Sequence, residues 1–177
     1  MDMQIFAYGS LMNPGSLTRT LPGERTVRSA TLRGYQRAFN KKTIREYLAL
    51  NIVPNPEYSV RGKIIDITRE EFSELKKREG GYTCTDVTAA IYEATTEAVY
   101  AFIAPDTSYP DVCIPLTYLL TCLGGIAANE RNAWLKETRI QSQIFDDRAN
   151  PLYRNAEYST LTDAATWAAL VCAPGKS

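Results

Sequence analysis

The chain has 177 residues, with 20 Lys+Arg balancing 20 Asp+Glu and 45% of its residues apolar. That length suits one domain with its own core, and a net charge of zero argues against a nucleic-acid or polybasic membrane-surface role. There is no histidine. Ser-His-Asp triads, Cys-His dyads and HExxH zinc sites are therefore excluded, and any acid–base catalyst must be Glu, Asp, Lys, Cys or Tyr.

In chain order, the apolar run Met3 to Tyr8 predicts a buried strand ending at Gly9-Ser10. Asn13-Pro14 then reads as an N-cap followed by proline at the first helical position. A strand bent at Gly34 is expected over 26–40, another over 48–53, a turn at Pro54-Asn55-Pro56, and a further strand over 59–67. Thr68-Arg69-Glu70-Glu71 fits a capping box, opening a helix that runs to Glu79 and stops at Gly80-Gly81. Strands follow over 82–92 and 98–103, with a loop over 105–110. Pro115 opens a helix through Leu123, closed by Gly124-Gly125, and 129–139 is helical with Trp134, Leu135 and Thr138 on one side. The stretch 145–158 is irregular, and Thr160 caps a last short helix ending near Cys172. Strands early and helices late make a mixed α+β chain. It reads as a single domain with a core over about 3–140 and an irregular, Ala-rich extension over about 141–177.

The cysteines, Cys84, Cys113, Cys122 and Cys172, form no CxxC pair, so a metal knuckle is not expected and they read as buried free thiols. The N-terminus lacks a signal-peptide pattern, and no run approaches a spanning helix. A cytoplasmic protein with no metal or other cofactor, no nucleic-acid partner and no membrane partner is expected. The oligomeric state is left open.

Three features can carry chemistry. Tyr8-Gly9-Ser10-Leu11 lies between a strand and a helix. Glycine there allows a sharp turn, and the following N–H groups and the Ser10 hydroxyl can hold an anion; a plain strand-to-helix turn is the other reading. Glu79 falls on the same helical stripe as Phe72 and Leu75. A carboxylate turned to the core would have its pKa raised, as suits a proton shuttle; a frayed helix end turned to water is the alternative. Among eleven tyrosines, Tyr82 follows Glu79 past the glycine turn, and Tyr118 shares a face with Ile114 and Cys122. Buried tyrosines want a polar partner, which can be a ligand or main chain. Lys41-Lys42, Lys76-Lys77-Arg78 and the pair Asp146-Asp147 read as surface, and Cys84 as structural.

Together, the ordered series YGSL at 8–11, Val53-Pro54 with Val60-Arg61-Gly62, Leu75 with Arg78-Glu79-Gly80 and Tyr82, and Tyr118-Leu119 leading to Gly124 resembles the γ-glutamylcyclotransferase-like (AIG2-like) superfamily. The resemblance runs from Phe6 to about Trp134. It implies a small domain with a barrel-like mixed sheet, flanking helices and a pocket. It implies substrate binding through Tyr8, Gly9, Ser10 and Leu11, with Glu79 as the catalytic glutamate and Tyr82 and Tyr118 as pocket tyrosines. The chain departs from the family pattern at Lys76, where members usually carry Asp, and at Thr83-Cys84, where many carry a basic residue. The reaction implied is release of 5-oxoproline from a γ-glutamyl amide of an amino acid or amine, the substrate's own α-amine being the nucleophile. A non-catalytic module binding small acids on the same scaffold is the alternative.

Overall fold

The computed structural model describes residues 3–95 and 97–147. The helix expected after Thr160, Cys172 and nearly all of the C-terminal extension lie outside them. In chain order the first elements are β1 (Met3–Ala7), a 3₁₀ turn (Ser10–Met12), α1 (Pro14–Thr18), β2 (Val27–Lys42), β3 (Leu48–Ile67) and α2 (Arg69–Arg78). Then come β4 (Thr83–Asp86), β5 (Val99–Ile103), β6 (Ile114–Pro115), α3 (Leu116–Leu123), α4 (Arg131–Glu137) and β7 (Ile144–Phe145).

Five strands form one mixed sheet in the order β2-β3-β1-β5-β4, parallel only between β1 and β5. The central strand β1 buries Ile5, Phe6 and Ala7 in succession. A strand covered on both faces needs such a continuous apolar run. Beside it, a Cβ on Gly62 of β3 would sit 2.4 Å from the Ala7 carbonyl oxygen and 2.5 Å from the Phe6 ring. The Val-x-Gly pattern is therefore a packing requirement. The barrel implied by the resemblance is not closed among the described residues, since β2 and β4 are edges. The sheet does curl: Ile91, just past β4, bridges to Leu32 of β2, and the Tyr92 N–H donates to the Thr31 carbonyl at 2.9 Å.

The helix signals act as their chemistry dictates. The Asn13 side chain accepts from the Ser16 N–H at 3.2 Å, with Pro14 in the first turn of α1. Thr68 and Glu71 complete the capping box of α2, at 3.2 and 2.9 Å. The left-handed backbone after that helix falls on Gly81 (φ 81°), a conformation that favours glycine.

Several expectations are corrected. Pro54-Asn55-Pro56 does not divide two strands; β3 continues through it as a bulge. Tyr35 pairs with Pro54 and Arg33 with Ser59, so 55–58 face Gly34 alone. The segment is largely exposed, where proline's missing donor costs little. The strand expected over 82–92 stops at Asp86, whose carboxylate accepts from the Thr88 N–H at 2.9 Å and hydroxyl at 2.6 Å, turning the chain. The helix expected over 129–139 is a 3₁₀ turn (Ala128–Glu130) followed by α4. Asp147 is buried rather than solvated, accepting from both the N–H and the hydroxyl of Thr117 at 2.9 and 2.5 Å. Of the described cysteines only Cys122 is fully buried; Cys84 and Cys113 are half-buried. Lys41 is half-buried, its Nζ 5.3 Å from the Tyr82 ring centre.

No helix among the described residues is long and apolar enough to cross a membrane.

Candidate active site

Beyond Lys63 the first half of β3 outruns β1, so one of its edges has no strand beside it. Side chains take the place of that strand. Asn51, fully buried, accepts from the Ala104 N–H at 2.9 Å and donates to the Ala104 carbonyl at 2.9 Å and to Asn40 Oδ1 at 3.0 Å. At Leu50 the main-chain N–H donates to the Tyr118 hydroxyl at 3.2 Å, and the carbonyl accepts from the Tyr82 hydroxyl at 2.7 Å. The two expected pocket tyrosines thus grip one residue.

The chain leaves β1 through Tyr8 and Gly9. The Tyr8 hydroxyl donates to the Phe102 carbonyl. A Cβ on Gly9 would meet the Leu50 side chain at 3.1 Å, a contact that obliges that side chain to give by a few tenths of an ångström. The 3₁₀ turn that follows uses the N–H groups of Met12 and Asn13, bonded to Gly9 and Ser10 carbonyls at 2.9 and 3.2 Å. The earlier N–H groups, those of Ser10 and Leu11, have no partner inside the turn.

Glu79 stands at the end of α2, its N–H still bonded to the Leu75 carbonyl at 2.9 Å. Its side chain is 17% exposed. Burial raises its carboxyl pKa above the ordinary 4.5, and the neighbouring Arg78 guanidinium opposes that rise. Tyr82 follows across the glycine turn, its N–H donating to the Glu79 carbonyl at 3.1 Å.

All seven residues singled out in the sequence, Tyr8, Gly9, Ser10, Leu11, Glu79, Tyr82 and Tyr118, line one cavity of about 30 Å³. Phe6, Ala7, Leu50 and Phe102 complete it, and Glu79 is the one carboxylate among its described lining residues. As it stands the space suits about one or two waters, so a larger group reaches Glu79 only with its remainder outside. Burial holds the pKa of Tyr8, Tyr82 and Tyr118 well above 10, so all three are protonated near neutrality. Tyr8 and Tyr82 spend their hydrogens on main-chain carbonyls. Tyr118 instead accepts from the Leu50 N–H, and its hydroxyl also bonds to the Cys122 side chain one helical turn on. Burial pushes the Cys122 thiol up to about 12, which makes it inert as a nucleophile.

The sequence reading placed the Arg78 side chain on the surface, and the structure corrects that. Nη1 donates to the Ser16 carbonyl at 2.8 Å and the Thr20 hydroxyl at 2.6 Å, and Nη2 to the hydroxyls of Ser16 at 2.9 Å and Ser10 at 3.2 Å. Nε lies 3.3 Å from Glu79 Oε1. One guanidinium therefore joins Glu79, the 8–11 loop and α1. The signal was available: Arg78 is three residues past buried Leu75, as near the apolar stripe as Glu79.

A wider hollow of about 370 Å³ lies between β2–β3 and Trp134, where several of the polar side chains already have partners. Arg61 pairs with Glu130 and Glu137 at 3.2 and 3.6 Å, and Glu93 accepts the Thr31 N–H at 2.7 Å. None of the seven residues lines it. Among the described residues no three of Cys, Asp and Glu converge as a metal ion would require.

A mixed sheet with a strand-to-turn loop opposite a sheltered glutamate defines a recognisable class. The chain belongs to the family described as "Gamma-glutamyl cyclotransferase, AIG2-like", whose model matches residues 5–116. A solution structure of an Arabidopsis thaliana protein is similar at 29% identity, over 63% of this chain and 74% of that one, with a TM-score of 0.50. Two further structures share the fold at 14% identity. One is named a gamma-glutamyl cyclotransferase, with TM-score 0.69 over 90% of this chain and 99% of that one. The other is an uncharacterized protein of Homo sapiens, with TM-score 0.67 over 88% and 98%. Comparison with curated proteins returns no match.

Proposed function

We propose that this chain is a γ-glutamyl cyclotransferase-type enzyme that releases 5-oxoproline from a γ-glutamyl amide, with Glu79 as its proton shuttle. The observation that carries the reading is the Glu79 carboxyl, sheltered from water and lining the same cavity as the Tyr8–Leu11 loop. Family membership supports it.

The substrate's α-amine attacks its own γ-carbonyl carbon. A C–N bond forms, closing a five-membered ring, and the amide C–N bond breaks, releasing a free amine. No water is consumed. The nucleophile belongs to the substrate, so the lack of histidine is no obstacle. Holding the glutamyl half folded can contribute about 7–11 kcal/mol. Glu79 as carboxylate takes a proton from the α-ammonium, then gives it to the departing nitrogen. Such help is worth about 10²–10⁴-fold. The Ser10 and Leu11 N–H groups face the oxyanion or the substrate α-carboxylate, and the Tyr118 hydroxyl serves the other. A donor aimed at the developing charge contributes about 3–4 kcal/mol.

The test is incubation of the purified chain with γ-glutamyl amino acids and γ-glutamyl amines, scored for 5-oxoproline and free amine. The reading predicts the two in equal amounts. Release of glutamate instead would mean hydrolysis and would overturn it. Saturable binding with no product would mark a module that only holds small acids.

A further inference from the structure

The hollow of about 370 Å³ between β2–β3 and Trp134 has the size and the chemistry of a second site. Ser29 pairs with Lys63, and Thr31 with Arg61, across the two strands. Cross-strand partners and alternate residues share one face of a sheet, so two hydroxyls and two cations stand together there. Met12, Ile126 and the Trp134 ring give the same space an apolar wall.

Its charges are of two kinds. Arg61 and Glu130 neutralise each other at 3.2 Å, and Glu137 joins Arg61 at 3.6 Å. Lys63 and Glu93 have no such counterpart. The Lys63 ammonium donates to the Met12 carbonyl at 3.0 Å, and no described carboxylate lies within 4.0 Å of it. An ammonium has three hydrogens to give, so Lys63 keeps others unspent. The Ser29 hydroxyl bonds to no described residue. Glu93 accepts from the Thr31 N–H at 2.7 Å and from the Thr31 hydroxyl, while Arg28 acts on it only from beyond 4.0 Å. A positive end at Ser29–Lys63 therefore faces a negative end at Thr31–Glu93. Two residues of strand rise set them about 7 Å apart along β2.

We propose that this hollow binds a free α-amino acid with a bulky apolar side chain, its carboxylate on Lys63 and Ser29 and its ammonium on Glu93. An α-amino acid carries both charges on one carbon and, with a hydrogen bond at each end, spans that separation. Its side chain lies against Met12, Ile126 and Trp134. The hollow and the catalytic cavity share no lining residue, although Met12 directly follows Leu11 of the 8–11 loop. The proposal is independent of the cyclotransferase reading.

The experiment is isothermal titration calorimetry of the purified full chain with L-leucine, with 4-methylpentanoate, which lacks the ammonium, and with 3-methylbutylamine, which lacks the carboxylate. Leucine is expected to bind saturably and at least about tenfold more tightly than either analogue, the scale of a hydrogen bond between charged groups. Lys63→Met keeps the stem and removes the charge. Glu93→Gln keeps an acceptor for the Thr31 N–H. Each should weaken leucine binding about tenfold. No saturable leucine binding would overturn the proposal. So would an analogue that binds as tightly as leucine, because one of the two charges would then play no part. Leucine binding unchanged in both variants would place the ligand elsewhere and overturn it equally.

Discussion

Arg78 Nε lies 3.3 Å from Glu79 Oε1, while both terminal nitrogens of the same guanidinium bond to Ser10, Ser16 and Thr20. Two residues adjacent in sequence thus tie the end of α2 to the substrate loop and to α1. A planar fork with five donors can do this; an ammonium with three cannot. Arg78→Lys should therefore lower kcat about 10–100-fold through misplacement of Glu79 and the loop, with a smaller change in KM. Steady-state kinetics on the best substrate checks this; unchanged kcat would show that the fork is dispensable.

The pH profile follows from the direction of the Glu79 shift. Its pKa is raised by burial and restrained by Arg78. The carboxylate form must accept the substrate proton, so kcat/KM should fall as pH drops through a value above 4.5. Arg78→Gln removes the restraining charge and should move that limb to higher pH. A limb that stays in place would mean that another group titrates.

The same shift has a consequence for stability. A carboxyl that binds its proton more tightly in the folded chain stabilises the fold fully below its unfolded pKa, and this contribution is lost as pH rises through the folded value. Glu79→Gln should accordingly unfold at higher denaturant than the native chain near neutrality. The difference should vanish below about pH 4.5, the ordinary glutamate value. Urea melts at several pH values would read it.

Tyr82 and Tyr118 hold the carbonyl and N–H of Leu50. Tyr82→Phe and Tyr118→Phe each leave one polar group of that peptide unpaired, at a cost of about 1–3 kcal/mol. The double variant should cost less than the sum, since both act on one residue. Equilibrium unfolding of the three variants tests this, and strict additivity would argue that Leu50 is not the shared partner.

Much of the arrangement was legible because local chemistry and tertiary need agree. The capping box at Thr68-Glu71, the stop at Gly81 and the continuous apolar run of β1 each leave a local signature. Glu79 was legible as an acid on an apolar stripe. What was not legible depends on partners distant in sequence. Arg78 reads as the last of three basic residues, until α1 supplies Ser16 and Thr20. Asp147 reads as half of an exposed pair, until Thr117 supplies two donors. The prolines at 54 and 56 signal a turn, but their long partner β2 keeps the chain extended and absorbs them as a bulge. The small size of the cavity depends on side chains from five segments, which no local pattern records.

The central claim is that a sheltered Glu79 carboxylate moves the proton during ring closure. The most direct test is 5-oxoproline release by Glu79→Gln and the native chain on the same best γ-glutamyl substrate, with circular dichroism as a check on folding. The account predicts a folded variant whose kcat is lower by at least about 10²-fold. A folded variant with native turnover would contradict it.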